Sequence, residues 1–405
     1  MSRDHQLRIV FAILFLSSTG FGLTLPALPF FVERLALGPA ATPDQVALHI
    51  GALTSAYALS QVLLGPLFGM GSDRWGRKPF LVLGLLGFAA SQALFGLATS
   101  LPVLYAMRVL AGASSSALLT AGSAAIIDLV PEGEQLRAMA RRGMAVGLGV
   151  VVGPAFSGLL SRGDMHGHRM LGSMMLDGFT VPFLAAGAVA MAGVPLVAFG
   201  FRSRLHRPVI TAVAEGSHAR IADILVLTMV AQAALSAFEA TFPLYGQASL
   251  SLDLNRIGWG FVVCGGVMAM SQGPLIGLLE GRLSPSRQVA LAFSFLAAGL
   301  SWLAFSRSLL GALGSIGVLA AGMAILTPNL AAAVAARRPS EPGASLGLQN
   351  TALGVGQVVG PLIGTALFTL APPLPFLATA GVAASVSALL WAARAGGRSG
   401  PARLR

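Results

Sequence analysis

Charged residues are scarce in this chain. Only 10% of its 405 residues are Asp, Glu, Lys or Arg, and 55% are hydrophobic. A soluble globular domain carries about 25% charged residues, because its surface has to face water. The composition therefore excludes a water-soluble globular domain and predicts a chain that lies in lipid.

Cysteine is almost absent as well. The single thiol, Cys264, lies inside an apolar run, which excludes a disulfide framework and a cluster of thiolate metal ligands. The six histidines fall in predicted loops or near the ends of apolar runs, so we expect no metal site. A phosphate-binding Gly-x-x-x-x-Gly-Lys-Ser/Thr loop is also missing, which argues against direct use of ATP. We expect no cofactor, and a proton gradient as the energy source.

Catalytic groups are missing at membrane depth. An intramembrane enzyme needs metal ligands, a nucleophile with its base, or paired carboxylates, and the apolar runs contain none of these sets. We therefore expect that the chain is not an enzyme. A receptor is disfavoured too, because the sequence has no sizeable soluble segment to receive or pass on a signal.

Long apolar runs dominate what is present. Each can cross about 30 Å of hydrocarbon as a helix, which takes about 20 residues. They lack the alternating pattern of barrel strands, and lipid favours segments that satisfy their own backbone. We predict an all-α membrane protein with twelve transmembrane helices. The runs lie at 8–31, 46–69, 79–98, 101–127, 138–161, 178–201, 221–246, 255–279, 288–306, 309–335, 344–370 and 374–394.

The basic residues are divided unequally between the two sides. With the N-terminus inside, twenty of the 26 Lys and Arg residues fall in inner loops and termini, five fall outside, and Arg108 lies within a span. This asymmetry is typical of the positive-inside rule and predicts that both termini are cytoplasmic. The net charge of +11 is thus a topology signal and a contact for anionic lipid, and no nucleic-acid partner is expected.

The chain contains an internal repeat. "GPLFGMGSDR" at 65–74 aligns with "GPLIGLLEGR" at 273–282, and "GVVVGPAFSG" at 149–158 aligns with "GQVVGPLIG" at 356–364. Two matches at nearly the same offset indicate a duplicated unit. We predict two pseudo-symmetric six-helix bundles, 1–201 and 221–405, joined by a cytoplasmic linker at 202–220.

The loop "GMGSDRWGRKP" at 69–79 crowds four charges between two apolar runs. It resembles the signature loop of the major facilitator superfamily between helices two and three. "RVLAG", with Arg108 and Gly112, resembles a second motif of that family, and the glycines and proline of span five resemble a motif of the twelve-helix drug/proton antiporters. The matching residues are Gly69, Asp73, Arg74, Gly76, Arg77, Lys78, Arg108, Gly112, Gly149, Gly153, Pro154 and Gly158.

The resemblance implies the major facilitator fold and a secondary transporter of the bacterial inner membrane. The span-five motif favours a proton-coupled exporter, an antiporter of small amphipathic molecules. An importer or uniporter of a sugar, organic acid or other metabolite, and a dedicated natural-product or siderophore exporter, stay open as alternatives. One departure from some relatives is that span one has no acidic residue before Glu33, which argues against a proton site there. The expected partners are a small-molecule substrate, protons and the bilayer, and the expected state is a monomer.

The signature loop suggests a gate. We expect Asp73 and Arg77 to form a charge network with Asp128, at the inner end of span four, that stabilises the outward-open state; Arg74 and Lys78 belong to the same loop. The alternative is that the basic residues only enforce topology and meet lipid phosphates. In the second half Gly281 takes the place of Asp73, so we expect a weak C-terminal copy.

Two glycine–proline motifs suggest packing seams. Small residues four positions apart present a smooth helix face, and the following proline removes one backbone hydrogen bond. We expect a tight, bendable seam between the halves; an ordinary packing contact is the alternative. The residues are Gly149, Gly153, Pro154 and Gly158 in span five and Gly356, Gly360 and Pro361 in span eleven.

Two ionisable residues lie deep in predicted spans, Arg108 and Glu239, and such residues are functional hypotheses by default. At 1.5 Å per residue, Arg108 lies about 10 Å below the outer surface and Glu239 about 27 Å along its outward-running span. The resemblance implies that spans one, four, seven and ten line a central cavity, which both residues would face. We expect Glu239 to bind the proton or a cationic substrate, with Arg108 as a structural or proton-coupling partner.

Each of these two residues also has a simpler explanation. Arg108 would bond to backbone carbonyls, and Glu239 would extend toward the outer surface. A further set of polar and aromatic residues is expected to line the cavity or to bond between helices. These are Tyr57, Gln61, Gln232, Phe238, Asn329, Asn350 and Gln357.

Overall fold

A computed structural model describes residues 2–36, 42–131, 134–160, 169–171, 174–176, 180–202, 221–279, 281–337 and 342–395. These residues form twelve α-helices and one short hairpin. The first six helices are α1 (Arg3–Ala36), α2 (Pro43–Trp75), α3 (Arg77–Gly96), α4 (Leu101–Leu129), α5 (Gln135–Leu160) and α6 (Thr180–Gly200). The other six are α7 (Ala222–Leu250), α8 (Leu254–Leu279), α9 (Pro285–Phe305), α10 (Leu309–Arg337), α11 (Pro342–Leu370) and α12 (Leu374–Ala395).

The predicted helical membrane fold is confirmed. Within the described residues, ten helices are long and apolar enough to cross a membrane, all except α5 and α8. Membrane crossing by α5 and α8 stays a prediction. The hairpin, β1 (Arg169–Leu171) and β2 (Met174–Leu176), pairs antiparallel between α5 and α6; the sequence pattern did not predict it.

Tryptophan positions agree with the span ends. Trp75 is the last residue of α2, Trp259 is in the second turn of α8, and Trp302 and Trp391 are near the ends of α9 and α12. All four side chains are exposed. Tryptophan is enriched where a bilayer meets water, because its ring is apolar and its N–H is polar.

The chain divides into two compact units. Unit 1 contains α1–α6 together with Asp253–Val262, and unit 2 contains α7, the rest of α8 and α9–α12. The start of α8 therefore groups with unit 1, whereas the sequence prediction put all of α8 in the second half. The predicted linker 202–220 lies outside the described residues, except for Arg202. The predicted domain boundaries stay a prediction.

The helix pairs of unit 2 repeat those of unit 1, although the α2–α4 pair of unit 1 has no α8–α10 counterpart among the described contacts. In unit 1, α1 packs on α4, α5 and α6, and α3 packs on α4 and α6. In unit 2, α7 packs on α10, α11 and α12, and α9 packs on α10 and α12. Each pair of unit 2 is the pair of unit 1 six helices later, which is the pseudo-symmetry that the sequence repeat predicts.

Glycines allow a close contact between α5 and α1 in unit 1. A Cβ on Gly149 would overlap the carbonyl oxygen of Phe15, and a Cβ on Gly153 would overlap that of Thr19. Helix α5 therefore lies directly on the backbone of α1, which only a residue without a side chain allows. Gly158 belongs to α5, but it is outside the residues whose side-chain surroundings are described.

Unit 2 repeats this contact between α11 and α7. A Cβ on Gly356 would come within 2.7 Å of the Met229 carbonyl oxygen, and one on Gly360 would overlap that of Ala233. Ser236 of α7 adds a hydrogen bond by donating its hydroxyl to the Gly356 carbonyl at 3.0 Å. Close approach lets side-chain hydroxyls reach backbone carbonyls of the neighbouring helix.

The contacts of these glycines bear on one expectation. The motifs at Gly149–Gly153 and Gly356–Gly360 were expected to form a seam between the halves, and these four glycines pack inside each unit. The Pro154 carbonyl oxygen lies 3.1 Å from the would-be Cβ of Gly258 in α8, and the seam itself stays a prediction. A small-residue face marks where a backbone approaches, but the sequence does not say which helix supplies it. Pro154 and Pro361 lie within α5 and α11, next to these contacts.

The glycine contact is testable with a matched pair in one helix. Gly147 has no atom within 4 Å of its would-be Cβ, whereas Gly153 meets the α1 backbone. We expect Gly153→Ala to destabilise the protein by about 1–3 kcal/mol through overpacking, and Gly147→Ala to be neutral or slightly stabilising. Thermal unfolding in detergent measures both. Equal melting temperatures for the two variants would contradict the contact.

Candidate functional site

The charged loop folds into a network at one end of unit 1. Gly76 alone separates α2 from α3, with φ of 90°, a conformation that strongly favours glycine. This sharp break turns the buried Arg77 back toward α2 and α4. The Arg77 guanidinium donates to Asp128 Oδ2 at 2.9 Å and to Ser72 Oγ at 3.0 Å, and it forms an ion pair with Asp73.

The structure thus brings together Asp73, Arg77 and Asp128, which the sequence analysis grouped as a gate. The contacts join α2, α3 and α4 at this end. Asp128 is the better shielded acid, because its side chain is 16% exposed and that of Asp73 is 45% exposed. Whether the network acts as a gate stays a prediction.

Arg74 and Lys78 lie outside this network. Arg74 is exposed and its guanidinium stands 5.7 Å from the ring centroid of Trp75. Lys78 is partly exposed. The contacts of these two residues fit the alternative, in which basic side chains next to an interfacial tryptophan meet lipid phosphates.

Unit 2 has a different ion pair that sequence reasoning missed. Gly281, at the place of Asp73, has φ of 75° and no atom near its would-be Cβ. Instead Arg337, in the last turn of α10, donates to both carboxylate oxygens of Asp223, in the first turn of α7, at 2.9 and 3.2 Å. The sequence did contain a signal for this pair. Asp223 begins α7 and Arg337 ends α10, and the predicted topology puts these two helix ends on the same side of the membrane.

Arg108 is buried between two aromatic rings of unit 1. Its guanidinium carbon lies 5.6 Å from the ring centroid of Tyr57 in α2 and 5.7 Å from that of Phe95 in α3. The residue is only 2% exposed. Within the part of the chain that the structure describes, its Nε and Nη2 have no hydrogen-bond partner.

The side chain of Arg108 was expected to face a water-filled cavity, or else to bond to backbone carbonyls. The structure packs its guanidinium against rings from α2 and α3 of its own unit, whose faces attract the cation. That it also faces a cavity stays a prediction. Gly112, one turn further along α4, accounts for the tight fit: a Cβ there would overlap the Tyr57 carbonyl.

A polar cluster lies next to Arg108 and centres on Ser115 of α4. The Ser115 hydroxyl accepts from the Gln61 amide at 3.2 Å and from the Ser17 hydroxyl at 3.4 Å. Tyr57 also interacts with Ser115. Sequence reasoning selected Tyr57 and Gln61 but missed the two serines, because small hydroxyl residues are common in membrane helices and carry little signal alone.

Glu239 lies in the middle of α7 in unit 2. It is partly exposed and makes no ion pair or hydrogen bond with the described residues. The thiol of Cys264 in α8, itself buried, is within electrostatic reach of its carboxylate. Phe238, the residue before Glu239, is buried and stacks on Phe242 with ring centroids 5.4 Å apart.

The remaining candidates have mixed surroundings. Gln232 is buried in α7 beside Gly356. Asn329 donates to the Gln288 side chain at 3.1 Å and to the Ile325 carbonyl at 2.9 Å, as a structural residue would. On α11, Asn350 is exposed and Gln357 is partly buried.

Comparisons with known proteins agree with this architecture. The family model described as Major Facilitator Superfamily matches residues 10–316. Multidrug resistance protein 2 of Bacillus subtilis is 25% identical over 386 residues, covering 91% of this chain and 90% of the relative. Tetracycline resistance protein, class G, of Vibrio anguillarum is 29% identical over 375 residues, with 89% and 90% covered.

Solved structures agree on the fold. A bacterial homologue of the human lysosomal transporter Spinster, inward-facing and occupied, superimposes with a TM-score of 0.76 at 14% identity, and 99% of each chain is covered. The human organic anion transporter MFSD10 (TETRAN) gives 0.67 at 21% identity, with 96% of this chain and 100% of the other covered.

The two acids bound to Arg77 are expected to contribute unequally to stability. Asp128→Asn should cost about 1–3 kcal/mol, because the buried guanidinium loses the better shielded of its two anionic partners. Asp73→Asn should cost less than about 1 kcal/mol, because an exposed ion pair is worth little. Thermal unfolding of the purified variants provides the comparison, with Asp4→Asn as a control at the exposed start of α1. The reverse order would show that Asp73 is the main partner.

Proposed function

Because this chain belongs to the major facilitator superfamily, we propose that it is a proton-coupled exporter of small amphipathic organic molecules. Membership makes it a multi-pass membrane transporter of small-molecule substrates and not an enzyme. The proposal adds the direction, the coupling ion and the substrate class to that statement.

The observation that carries the coupling is the position of Glu239. In the described helices it is the sole carboxylate away from a helix end, and it has no cationic partner there. A carboxylate that leaves water is neutralised by a proton or by another cation, and these compete for it. Such competition would release substrate when the proton binds, which is the exchange that an antiporter performs.

Direction and substrate class are supported by the relatives. Their names refer to multidrug and to tetracycline resistance, and resistance to a compound fits removal of that compound from the cell. We place the protein in the bacterial cytoplasmic membrane as a monomer with both termini inside. The division of basic residues between inner and outer loops supports that orientation.

In the proposed cycle the two units rock around a central site. The contacts of Arg77 with Asp73 and Asp128 would hold the ends of α2, α3 and α4 together in the outward-open state. They would loosen as the inside opens. The glycine contacts would keep α1 with α5, and α7 with α11, as pairs that move together.

The coupling is tested by neutralising Glu239. We expect Glu239→Gln to abolish uptake of ethidium, an amphipathic cationic dye, into inverted vesicles that carry an imposed proton gradient. A protonophore should have the same effect on the parent protein. Glu33→Gln, at the end of α1, serves as the control and should retain uptake. Undiminished uptake by Glu239→Gln at equal protein amounts would remove this residue from the mechanism.

Cys264 provides a second measurement at the same place, because it is the chain's single cysteine and its thiol lies near Glu239. We expect slow labelling by a membrane-permeant maleimide at rest, since the thiol is buried. Labelling should accelerate several-fold while dye and proton gradient are both present. The Glu239→Gln variant should lose this acceleration. A labelling rate that never changes would show that water does not reach this site during transport.

A further inference from the structure

Helices α2 and α4 of unit 1 run parallel and share a row of polar contacts. Gly112 of α4 lies against the Tyr57 carbonyl of α2. One turn further, the Ser116 hydroxyl donates to the Gln61 carbonyl at 2.9 Å. The constant register between these contacts shows that the two helices stay side by side, so polar groups on their facing sides form a column.

The column begins at the end of unit 1 remote from the Arg77 network. There His49 Nδ1 of α2 and the Tyr105 hydroxyl of α4 are 3.0 Å apart, and both residues are partly buried. Arg108 follows Tyr105 by three positions, on the same face of α4. Its guanidinium lies over Tyr57, which leads to the Ser115 cluster.

Beyond that cluster the polar face of α4 continues. Thr120 donates to the Ser116 carbonyl at 2.7 Å, and Ser123 donates to the carbonyl of Leu119. The column ends at Ser123; Asp128, in the last turn of α4, lies about 140° further round the helix, where it binds Arg77 of α3. Hydroxyl side chains therefore recur along α4 from Tyr105 to Ser123, and the Gln61 amide of α2 joins them.

Such a column is a hazard in a protein that works across a proton gradient. Rows of exchangeable side chains, with water between them, carry protons through membrane proteins. A passive path of this kind would dissipate the gradient without moving substrate. Some feature has to interrupt it.

Arg108 has the properties that an interruption of this proton path requires, a buried position and a positive charge without a counter-ion. The other formally charged residues of α2 and α4 are Asp44, Asp73, Arg74 and Asp128, all at helix ends. No acid of the described chain forms a salt bridge with Arg108, and ring faces hold its guanidinium. Its positive charge is therefore not neutralised next to Gly112, where α4 lies against the α2 backbone.

We propose that Arg108 is an electrostatic barrier that stops protons from leaking along the α2–α4 column. A fixed guanidinium in a narrow polar path excludes protons and cations by repulsion. At about 6 Å and an effective dielectric constant of about 20, Coulomb's law gives roughly a hundredfold lower proton occupancy beside it. This role deepens the proposed proton-coupled function, for which a tight resting state is required.

The experiment measures proton leak without any substrate. The full chain is reconstituted into liposomes, valinomycin imposes a potassium diffusion potential, and a trapped dye reports internal pH. We expect Arg108→Gln and Arg108→Met to raise proton influx by at least about tenfold. Arg108→Lys keeps the charge and should stay as tight as the parent. If Arg108→Gln and Arg108→Met leak no more protons than the parent, the proposal is overturned. It is also overturned if Arg108→Lys leaks as much as Arg108→Met, because packing alone would then explain the leak.

The path is tested in the leaky background. His49→Gln or Tyr105→Phe added to Arg108→Gln should reduce the leak several-fold, since the first polar pair of the column is removed. His5→Gln, at the exposed start of α1, is the matched control and should leave the leak unchanged. If neither column substitution changes the leak, protons take another route and the column is not their path.

A further pair of variants tests the charge while it keeps the Arg108 side chain in place. The α2–α4 register puts Thr54 at nearly the level of Arg108, and its buried hydroxyl has no partner within the described residues. Thr54→Asp should supply a counter-charge and raise the leak, whereas the neutral Thr54→Asn should not. Equal leak from both would contradict an electrostatic barrier. The assay is independent of the proposed export, because Glu239→Gln should abolish dye uptake and leave the leak at the parent level.

Discussion

Placing a charge in hydrocarbon costs several kcal/mol, and that cost organises this protein. Arg77 and Arg337 lie at helix ends and are paired with acids. Arg108 lies deeper and is packed between Tyr57 and Phe95. Glu239 also lies mid-helix but is partly exposed. The depth of each ionisable residue thus corresponds to the way in which its charge is compensated.

The lipid environment also explains why glycine is important for the packing of these helices. Between helices in lipid, association depends on van der Waals packing and hydrogen bonds, because lipid tails are as apolar as the helix faces. Gly149 and Gly153 bring α5 onto the α1 backbone, and Gly356 and Gly360 bring α11 onto α7. The duplicated sequence motif is therefore a duplicated helix contact, and it gives each unit one pair of closely packed helices.

In unit 1 the buried charge of Arg108 lies next to a close helix contact. Gly112 lets α4 lie against the α2 backbone one turn from Arg108. The close contact between the two helices is therefore next to the fixed positive charge of the polar column. Beyond the end of that column, the Arg77 contacts tie α2, α3 and α4 together. In the proposed mechanism, one unit stays tight to protons while Glu239, in the other unit, exchanges them. This arrangement fits the first helix, α1, whose acidic residues Asp4 and Glu33 both lie near its ends.

Much of this follows from the sequence by itself. Run length and charge distribution predict the helices and the internal repeat predicts the matching helix pairs, because lipid imposes simple rules on length and polarity. The Asp73–Arg77 contact is also predictable, since the two residues are four positions apart. The tertiary structure alone decided that the glycine contacts lie within the units, that Arg108 packs against rings from α2 and α3, and that Asp223 pairs with Arg337. These outcomes depend on how each helix is rotated about its axis, and a helix that is apolar on every face has no polar stripe from which that rotation can be inferred.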